Sequence, residues 1–105
     1  MYTQKIREQF LPMSETMFYI LLTLQQERHG YGIMLDVDEL TRGRIHLGAS
    51  TIYQTLAKLD KGGLIKPTGE LERQKRYLIT GLGRDILHEE ARRIRQMCAD
   101  MEGLL

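Results

Sequence analysis

The sequence is poor in cysteine, proline and tryptophan, with one, two and none of these residues among its 105. The single cysteine, Cys98, excludes an internal disulfide framework and is typical of a reducing compartment. The longest apolar run, around Phe18–Leu22, is far shorter than the roughly 20 residues that a membrane-spanning helix needs. The N-terminus lacks the basic and apolar segments of a secretion signal. These absences predict a cytoplasmic protein with no membrane partner.

Charge is unevenly distributed along the chain, although the formal net charge is only +1. Residues 42–84 contain nine lysines and arginines but only three acidic residues, whereas the segments on either side are acidic overall. A concentrated basic surface is what a polyanionic partner such as nucleic acid requires. The alternative is a chance cluster of solvated Lys and Arg side chains.

The spacing of apolar residues predicts three helices, two strands and a long final helix around one core. Helices are expected over Ser14–Gln26, Tyr31–Leu40, Ala49–Lys61 and about Leu82–Glu102. A further short helix is expected before Pro12. The two strands are expected at Leu64–Pro67 and Arg76–Ile79. The second helix should bury Ile33, Val37 and Leu40, and the third Ala49, Ile52, Leu56 and Leu59.

This order predicts a mainly α fold with a small β-hairpin, a winged helix-turn-helix followed by a long C-terminal dimerisation helix. Residues 1–80 are expected to form the winged-helix DNA-binding domain, including the N-terminal helix. Residues 81–105 are expected to form the dimerisation helix. The polar segment Thr68–Lys75 is expected to be the tip of the hairpin, called the wing.

The third predicted helix has a polar face opposite its apolar one, with Ser50, Gln54 and Lys58 outward and Thr51 and Tyr53 on the flanks. Gln can pair with an adenine edge, Thr can contact a thymine methyl, and Lys neutralises phosphate. Hydroxyl groups and the free N–H groups of a helix start suit phosphate oxygens. The alternative is the solvated outer face of an ordinary amphipathic helix.

Basic residues also crowd the second strand of the hairpin, where Arg73, Lys75 and Arg76 surround Gln74. Such side chains enter a narrow minor groove or bind phosphates when a wing docks on DNA. A solvated turn explains one or two of these charges, but three beside a polar helix face favour DNA.

Three stretches resemble the PadR-like transcriptional regulators: His29-Gly30-Tyr31-Gly32-Ile33, Leu47-Gly48-Ala49-Ser50-Thr51-Ile52-Tyr53 and Lys75-Arg76-Tyr77-Leu78-Ile79-Thr80. The resemblance covers about Ser14–Arg84, and the short chain resembles the compact branch with a single C-terminal helix. The chain departs from the family pattern at Gly48-Ala49-Ser50, where Ser-Pro-Gly is usual, and at Gln54, where Pro is usual.

The resemblance implies a dimeric repressor that binds palindromic promoter DNA and often releases it on binding a small aromatic compound. It also implies that Tyr31, Ser50, Thr51, Tyr53 and Lys58 lie on DNA, with Lys75 and Arg76 of the wing. Adding the residues argued above, the candidate DNA-binding set is Tyr31, Ser50, Thr51, Tyr53, Gln54, Lys58, Arg73, Lys75 and Arg76.

Apolar residues of the last helix repeat at spacings of four and three, which is a heptad seam. The seam can pack on its own domain or against a second copy of the chain, and we expect a homodimer. Its candidate interface residues are Leu87, Ala91, Ile94, Cys98, Met101 and Leu105. An aromatic effector could bind among its methionines with Tyr2 or Phe10, although plain dimer packing is the favoured explanation of the methionines.

Catalysis has little support, because the three histidines lie in different segments and no metal-binding pair is present. Cys98 lies on the seam, so packing explains it better than nucleophilic chemistry. We therefore expect no enzyme activity, no metal and no cofactor. The residues predict a cytoplasmic, dimeric DNA-binding regulator of prokaryotic type, and the resemblance implies a repressor that a small molecule releases from promoter DNA. The alternatives are a winged-helix module for protein–protein assembly and a small-molecule binder that ignores DNA.

Overall fold

The computed structural model describes residues 3–105, which form five helices and one three-stranded antiparallel sheet. The elements are α1 (Gln4–Phe10), α2 (Glu15–Thr23), β1 (Arg28–His29), α3 (Gly30–Leu40), α4 (Ala49–Lys61), β2 (Ile65–Leu71), β3 (Gln74–Ile79) and α5 (Gly81–Asp100). The predicted mainly α fold with a β-hairpin and a long last helix is confirmed. No helix within residues 3–105 has the length and hydrophobicity that crossing a bilayer requires.

Side-chain caps fix where most of the helices begin. The Ser14 hydroxyl accepts a hydrogen bond from the Met17 N–H, and His29 Nδ1 accepts one from the Gly32 N–H. Thr3 and Thr80 cap α1 and α5 in the same way. Each cap satisfies an N–H group that has no partner inside its helix and stabilises the helix by about 1 kcal/mol.

The core lies where α2, α3, α4, α5 and the base of the hairpin meet. Its fully buried side chains include Ile20, Leu21, Leu24, Ile33, Ile52, Leu56, Leu59, Leu64, Ile65, Ile79 and Ile86. Burying each such side chain contributes about 1.5–3 kcal/mol to the stability of the fold, before the conformational entropy that the chain loses on folding is subtracted. The prediction was wrong for Leu40 and Ala49, which are exposed. Each is the terminal residue of its helix, beyond the side chains that pack in the centre.

The hairpin is longer than predicted. Its strands pair from Ile65↔Ile79 out to Leu71↔Gln74, with a shift of register between Pro67 and Gly69, so much of the expected polar tip is paired strand. The chain reverses at Glu72-Arg73, and both residues have positive φ, at 52° and 65°. A two-residue turn with positive φ at both positions matches the twist of the paired strands. The wing is therefore a strand pair with a tight tip.

A third strand, β1, was not predicted from the sequence. It pairs with β3 through Arg28↔Tyr77 and His29↔Arg76. Next to it, the Ile79 N–H donates to the Leu24 carbonyl over 2.8 Å. These bonds join the hairpin base to the segment between α2 and α3, so the wing is held in a fixed position relative to the helices.

Helix α5 packs on the core with its first half only. Ile86 and Leu87 are buried, and the Glu90 carboxylate is 1% exposed. Beyond residue 95 every side chain is exposed. Leu87, predicted to face a partner, is 5% exposed and belongs to the core of its own chain, because α5 crosses α2 at this point. The proposed division at residue 80 falls between β3 and α5 and stays a prediction.

Glu90 joins α5 to the segment before α2. Its carboxylate accepts a hydrogen bond from the Met13 N–H over 2.7 Å and two from the Arg93 guanidinium over 2.6 and 2.9 Å. The hydrogen bonds from Arg93 are the main cause that holds the pKa of Glu90 below its usual value of 4.5, with a further contribution from Met13. The folded protein therefore holds this carboxylate ionised.

We expect Glu90→Gln to lower the free energy of unfolding by about 1.5–3 kcal/mol at neutral pH, because it removes the hydrogen bonds that the charged Glu90 carboxylate accepts. Since the folded pKa lies below the unfolded one, this contribution is present above about pH 4.5 and is lost as pH falls through the folded pKa. Urea unfolding across pH 3–7 should show the difference between parent and variant shrinking in acid. The control is Glu89→Gln, whose surface ion pair with Arg7 is worth about 0–1 kcal/mol. A difference that stays constant down to pH 3 would contradict the assignment.

Candidate nucleic-acid interface

Helix α4 exposes a polar face and buries an apolar one. Ile52, Leu56 and Leu59 are buried against the core. The predicted DNA-binding residues of this helix are all exposed, namely Ser50, Thr51, Tyr53, Gln54 and Lys58. The polar face is thus available to a large partner along the whole helix.

The first turn of α4 has no side-chain cap. Gly48 occupies the cap position with φ −80° and ψ 159° and has no side chain that could accept a hydrogen bond. The N–H groups of Ala49, Ser50 and Thr51 therefore point outward at the positive end of the helix dipole, beside the hydroxyl groups of Ser50 and Thr51. Such a helix start suits an anion such as phosphate.

Two tyrosines stand beside this helix start. Tyr31, on the first turn of α3, is 57% exposed, and Tyr53 on α4 is 62% exposed. The Tyr31 ring stacks on His29 with 6.5 Å between the ring centroids and 11° between the planes. The Tyr53 ring lies against Gly30, where a Cβ atom would be 3.3 Å from the Tyr53 hydroxyl oxygen. The starts of α3 and α4 therefore form one surface.

A shallow apolar recess opens between the two tyrosines. It has a volume of about 160 Å³ and is lined by Gly30, Tyr31, Met34, Ala49, Ile52 and Tyr53. Sequence reasoning missed the parts played by Met34 and Ala49. Their spacing along the chain gives no sign that α3 and α4 bring them together.

The basic residues of the wing fall into two kinds. Arg73 and Lys75 are exposed. Arg76 is half-buried, with its Nη1 atom 3.7 Å from Glu27 Oε1 and its Nε atom buried without a hydrogen-bond partner in the described part of the chain. A phosphate at Arg76 therefore has to compete with the Glu27 carboxylate, which sequence reasoning did not anticipate.

Five basic residues of α4 and the hairpin have no ionic partner within residues 3–105, and elsewhere in that range the same holds for Lys5, Arg42, Arg84, Arg92 and Arg95. On α2 and α3 and their flanks, Arg28 lies 3.6 Å from Asp36, and Arg44 lies 2.7 Å from Glu15. The Glu15 hydrogen bond and charge also raise the pKa of Arg44. By contrast, none of the following forms a salt bridge within residues 3–105: Lys58, Lys61, Lys66, Arg73 and Lys75. These five cations attract a polyanion without first breaking an ion pair.

The seam residues of α5 beyond Leu87 remain accessible. Ile94 is half-buried, and Ala91, Cys98, Met101 and Leu105 are exposed. Met97 and Leu104 add further exposed apolar surface at the end of the helix. The last turns of α5 thus present an apolar face that nothing in residues 3–105 covers.

The residues suggested for an effector pocket are placed differently from the prediction. Phe10 is 2% exposed and packs against Gly62 in the core, so it cannot line a ligand pocket, and Tyr2 lies outside the described residues. Instead, Phe18 and Tyr19 of α2 face Ile94 and Met97 of α5 across a groove of about 320 Å³. The remaining lining residues are Met13, Glu15, Glu90 and Arg93.

No cluster of three or more His, Cys, Asp or Glu side chains that could hold a metal ion occurs among residues 3–105. His29 caps α3, and His46 lies 3.2 Å from Asp38. Cys98 is exposed on α5.

Comparison with known proteins identifies several similar molecules. A family model described as "Transcriptional regulator PadR-like family" matches residues 17–89. A transcriptional regulator from Clostridium thermocellum superposes with a TM-score of 0.71 at 21% identity, covering 93% of this chain and 95% of that one. Bacillus subtilis PadR in complex with operator DNA superposes with a TM-score of 0.65 at 27% identity, covering 72% of this chain and 46% of that one.

A curated relative is also similar in sequence. It is described as an uncharacterized 37.1 kDa protein in transposon TN4556 of Streptomyces fradiae and is 35% identical over 63 residues. The match covers 60% of this chain but only 18% of the relative. The chain therefore spans less than a fifth of the length of that protein.

Proposed function

The chain belongs to the PadR-like family of transcriptional regulators. From that premise we propose that it is a dimeric repressor that binds promoter DNA and that a small molecule releases it from this DNA. The single observation that carries the proposal is the pairing of an uncapped α4 start with unpaired cations on α4 and the hairpin. Such a protein acts where the DNA is, so we place it in the cytoplasm. Its family and fold are those of regulators, and we assign it no catalytic role.

We propose that α4 enters the major groove and that the wing lies on the adjacent backbone or minor groove. The first turn of α4 would meet phosphate through its free N–H groups and the Ser50 and Thr51 hydroxyls. Gln54 and Lys58, further along the same face, would meet base edges and backbone. The likeness to Bacillus subtilis PadR in complex with operator DNA supports this arrangement.

The proposed dimer uses the exposed end of α5. Ile94, Cys98 and Met101 lie on one face of the helix. In a two-fold symmetric dimer the same face of a second copy would cover it. Two α4 helices about 34 Å apart would then fit successive major grooves on one side of the duplex, so a palindromic site is expected. Sedimentation should give twice the mass of one chain.

We place the effector in the groove between α2 and α5. Phe18 and Tyr19 supply aromatic walls there, and Met97 supplies an adaptable apolar one. Because this groove adjoins the proposed dimer helix, a ligand in it could change how the two copies are oriented. A compound that binds there should raise the melting temperature of the free protein and weaken its binding to DNA.

A gel-shift titration against the DNA upstream of the protein's own gene tests the proposed function. Each neutralised phosphate releases counterions, so affinity should fall by about a thousandfold or more between roughly 50 and 200 mM NaCl. The alternative function, a winged-helix module for protein–protein assembly, predicts no binding to any duplex. A protein that binds no duplex at about 50 mM salt, where electrostatic attraction is strong, would contradict the proposal.

Substitutions of the two residues of the Arg76–Glu27 pair should change the affinity for DNA in opposite directions. Arg76→Ala should weaken binding to all duplexes alike and reduce the salt slope by about one per protomer. Glu27→Gln should strengthen binding by roughly two- to fivefold, because it frees Arg76 from a pair worth about 0–1 kcal/mol. Fluorescence anisotropy with one duplex at several salt concentrations measures both. The control is Glu39→Gln, an equal charge change at an exposed position on α3. If Glu27→Gln gave no more affinity than this control, the competition between Glu27 and phosphate would be refuted.

A further inference from the structure

The apolar recess between α3 and α4 lies within a surface that is otherwise polar. Its walls are the side chains of Tyr31, Met34, Ala49, Ile52 and Tyr53. The only oxygen or nitrogen atoms among these side chains are the two tyrosine hydroxyls. The recess therefore contains no charged group, and free helix N–H groups lie close by at the start of α4.

Gly30 keeps one wall of the recess in place. A Cβ atom at this position would be 3.3 Å from the Tyr53 hydroxyl oxygen and 3.4 Å from Tyr53 Cε1. Such distances are tighter than most contacts of this kind, so a side chain at residue 30 would require the Tyr53 ring to shift by a few tenths of an ångström. The absence of a side chain at Gly30 lets the Tyr53 ring lie close against α3.

Duplex DNA offers few groups that suit such a recess. A phosphate or a polar base edge would exchange its water there for at most the two tyrosine hydroxyls, which is unfavourable. The base edges of the major groove carry one apolar group, the 5-methyl group of thymine. Lys58 and the other unpaired cations of α4 and the hairpin favour a polyanion on this face rather than an apolar protein surface.

We propose that the recess receives the 5-methyl group of a thymine and thereby helps to determine which operator sequence the protein selects. The inference rests on the proposed function, because it requires a duplex on this face. Thr51 was the expected partner for a thymine methyl on sequence grounds, whereas the recess assigns that contact to Met34 and Ala49. Residues outside the predicted DNA-binding set thus become specificity determinants.

Replacing thymine by uracil tests the proposal, because uracil pairs identically with adenine and lacks only the 5-methyl group. The protein would first enrich its preferred duplex from a random-sequence pool. That duplex would then be synthesised with deoxyuridine at one thymine at a time. We expect one thymine in each half-site to raise the Kd about fourfold when replaced, the effect of one buried methyl group.

Protein variants connect this effect to the recess. Met34→Gln replaces an apolar wall by an amide of similar length, and Ala49→Ser adds one hydroxyl at an exposed helix start that accepts serine. For each variant, the Kd values for the thymine and uracil duplexes should differ by no more than about 1.5-fold, well below the effect of one buried methyl group. The control is Leu35→Gln, the same kind of change at an exposed residue of α3 that does not line the recess. It should keep the fourfold preference.

The outcomes separate this inference from the proposed function. If the parent binds its selected duplex but no thymine-to-uracil replacement changes the Kd, the thymine contact is wrong and DNA binding stands. If a preference exists but both recess variants keep it, the contact lies elsewhere and the inference is overturned. If the protein enriches no duplex from the pool, the proposed function itself fails, and the inference fails with it.

Discussion

Gly83→Ala should destabilise the protein by about 3 kcal/mol or more, at the upper end of the cost of overpacking a core. Gly83 lies in the first turn of α5, where a Cβ atom would collide with the Leu64 carbonyl oxygen and lie 2.7 Å from Ile79 Cγ1. Neither neighbour can move freely. The Leu64 carbonyl accepts a hydrogen bond from the Thr80 N–H over 3.0 Å, and Ile79 is buried in the core.

The same junction explains why relaxation would be costly. The Thr80 hydroxyl donates to the Gly63 carbonyl over 2.6 Å and accepts from the Gly83 N–H over 3.0 Å. Moving α5 outward to make room for a methyl group would stretch these bonds together. Gly83 thus allows the start of α5 to approach the base of the hairpin closely, which links the wing to the helix that we propose as the dimer element.

Gly81→Ala is the matched control, two residues earlier in the same helix. A Cβ atom at Gly81 meets nothing within 4 Å, so alanine should be neutral or should stabilise the helix by about 0.5–1 kcal/mol. Urea unfolding at one protein concentration measures both variants, since dimerisation makes stability depend on concentration. If the two variants unfolded at the same urea concentration, the close approach at Gly83 would be disproved.

Helix α4 could be predicted to the residue, and the reason is local. Ile52, Leu56 and Leu59 repeat at helical spacing, and the Gly62-Gly63 pair ends the helix where Gly63 adopts φ 82°. Both signals lie within the helix or directly beside it. Wherever the sequence contains a clear apolar period and its own stop signal in this way, the element and its exposed face follow from it.

The elements that sequence reasoning missed depend on contacts between distant segments. β1 has two residues, too few for any periodicity, and it exists because the hairpin base lies beside it. The turn at Glu72-Arg73 contains no Asn or Gly, the residues that usually mark positive φ. Strand pairing on both sides imposes that conformation, so the predicted tip was too long.

The site differed from the prediction for the same reason. Arg76 was expected to contact DNA, and nothing in the sequence indicated that folding would bring Glu27 to it from a separate segment. The heptad spacing of α5 predicted one seam, yet it could not show that Leu87 lies beside α2 within the same chain while Met101 is exposed. Residue type and spacing therefore predicted the candidates, and tertiary contacts determined which of them remain available.

Ser50→Glu should abolish most DNA binding without harming the fold. Ser50 is exposed in the first turn of α4, where a carboxylate interacts favourably with the helix dipole and stabilises the helix by about 0.3–1 kcal/mol. The same carboxylate would occupy the position that we propose for a DNA phosphate. Like charges brought together in this way should weaken binding about tenfold per copy, and about a hundredfold for a dimer with two such helices.

The prediction is specific because the affinity for DNA should fall while the stability of the fold should not. Anisotropy at one salt concentration should show the loss of affinity, while thermal melting should show a melting temperature equal to or above that of the parent. Ser50→Gln controls for the added bulk without the charge, and Gln9→Glu on the exposed side of α1 controls for net charge away from the interface. Gln9→Glu should bind DNA within about threefold of the parent, a difference below 1 kcal/mol, and Ser50→Gln, which loses the hydroxyl but adds no charge, should lose clearly less affinity than Ser50→Glu. Because a misfolded protein would lose stability as well as binding, only direct repulsion at the start of α4 predicts weaker binding by a more stable protein. Unchanged affinity in Ser50→Glu would place the DNA away from this helix start.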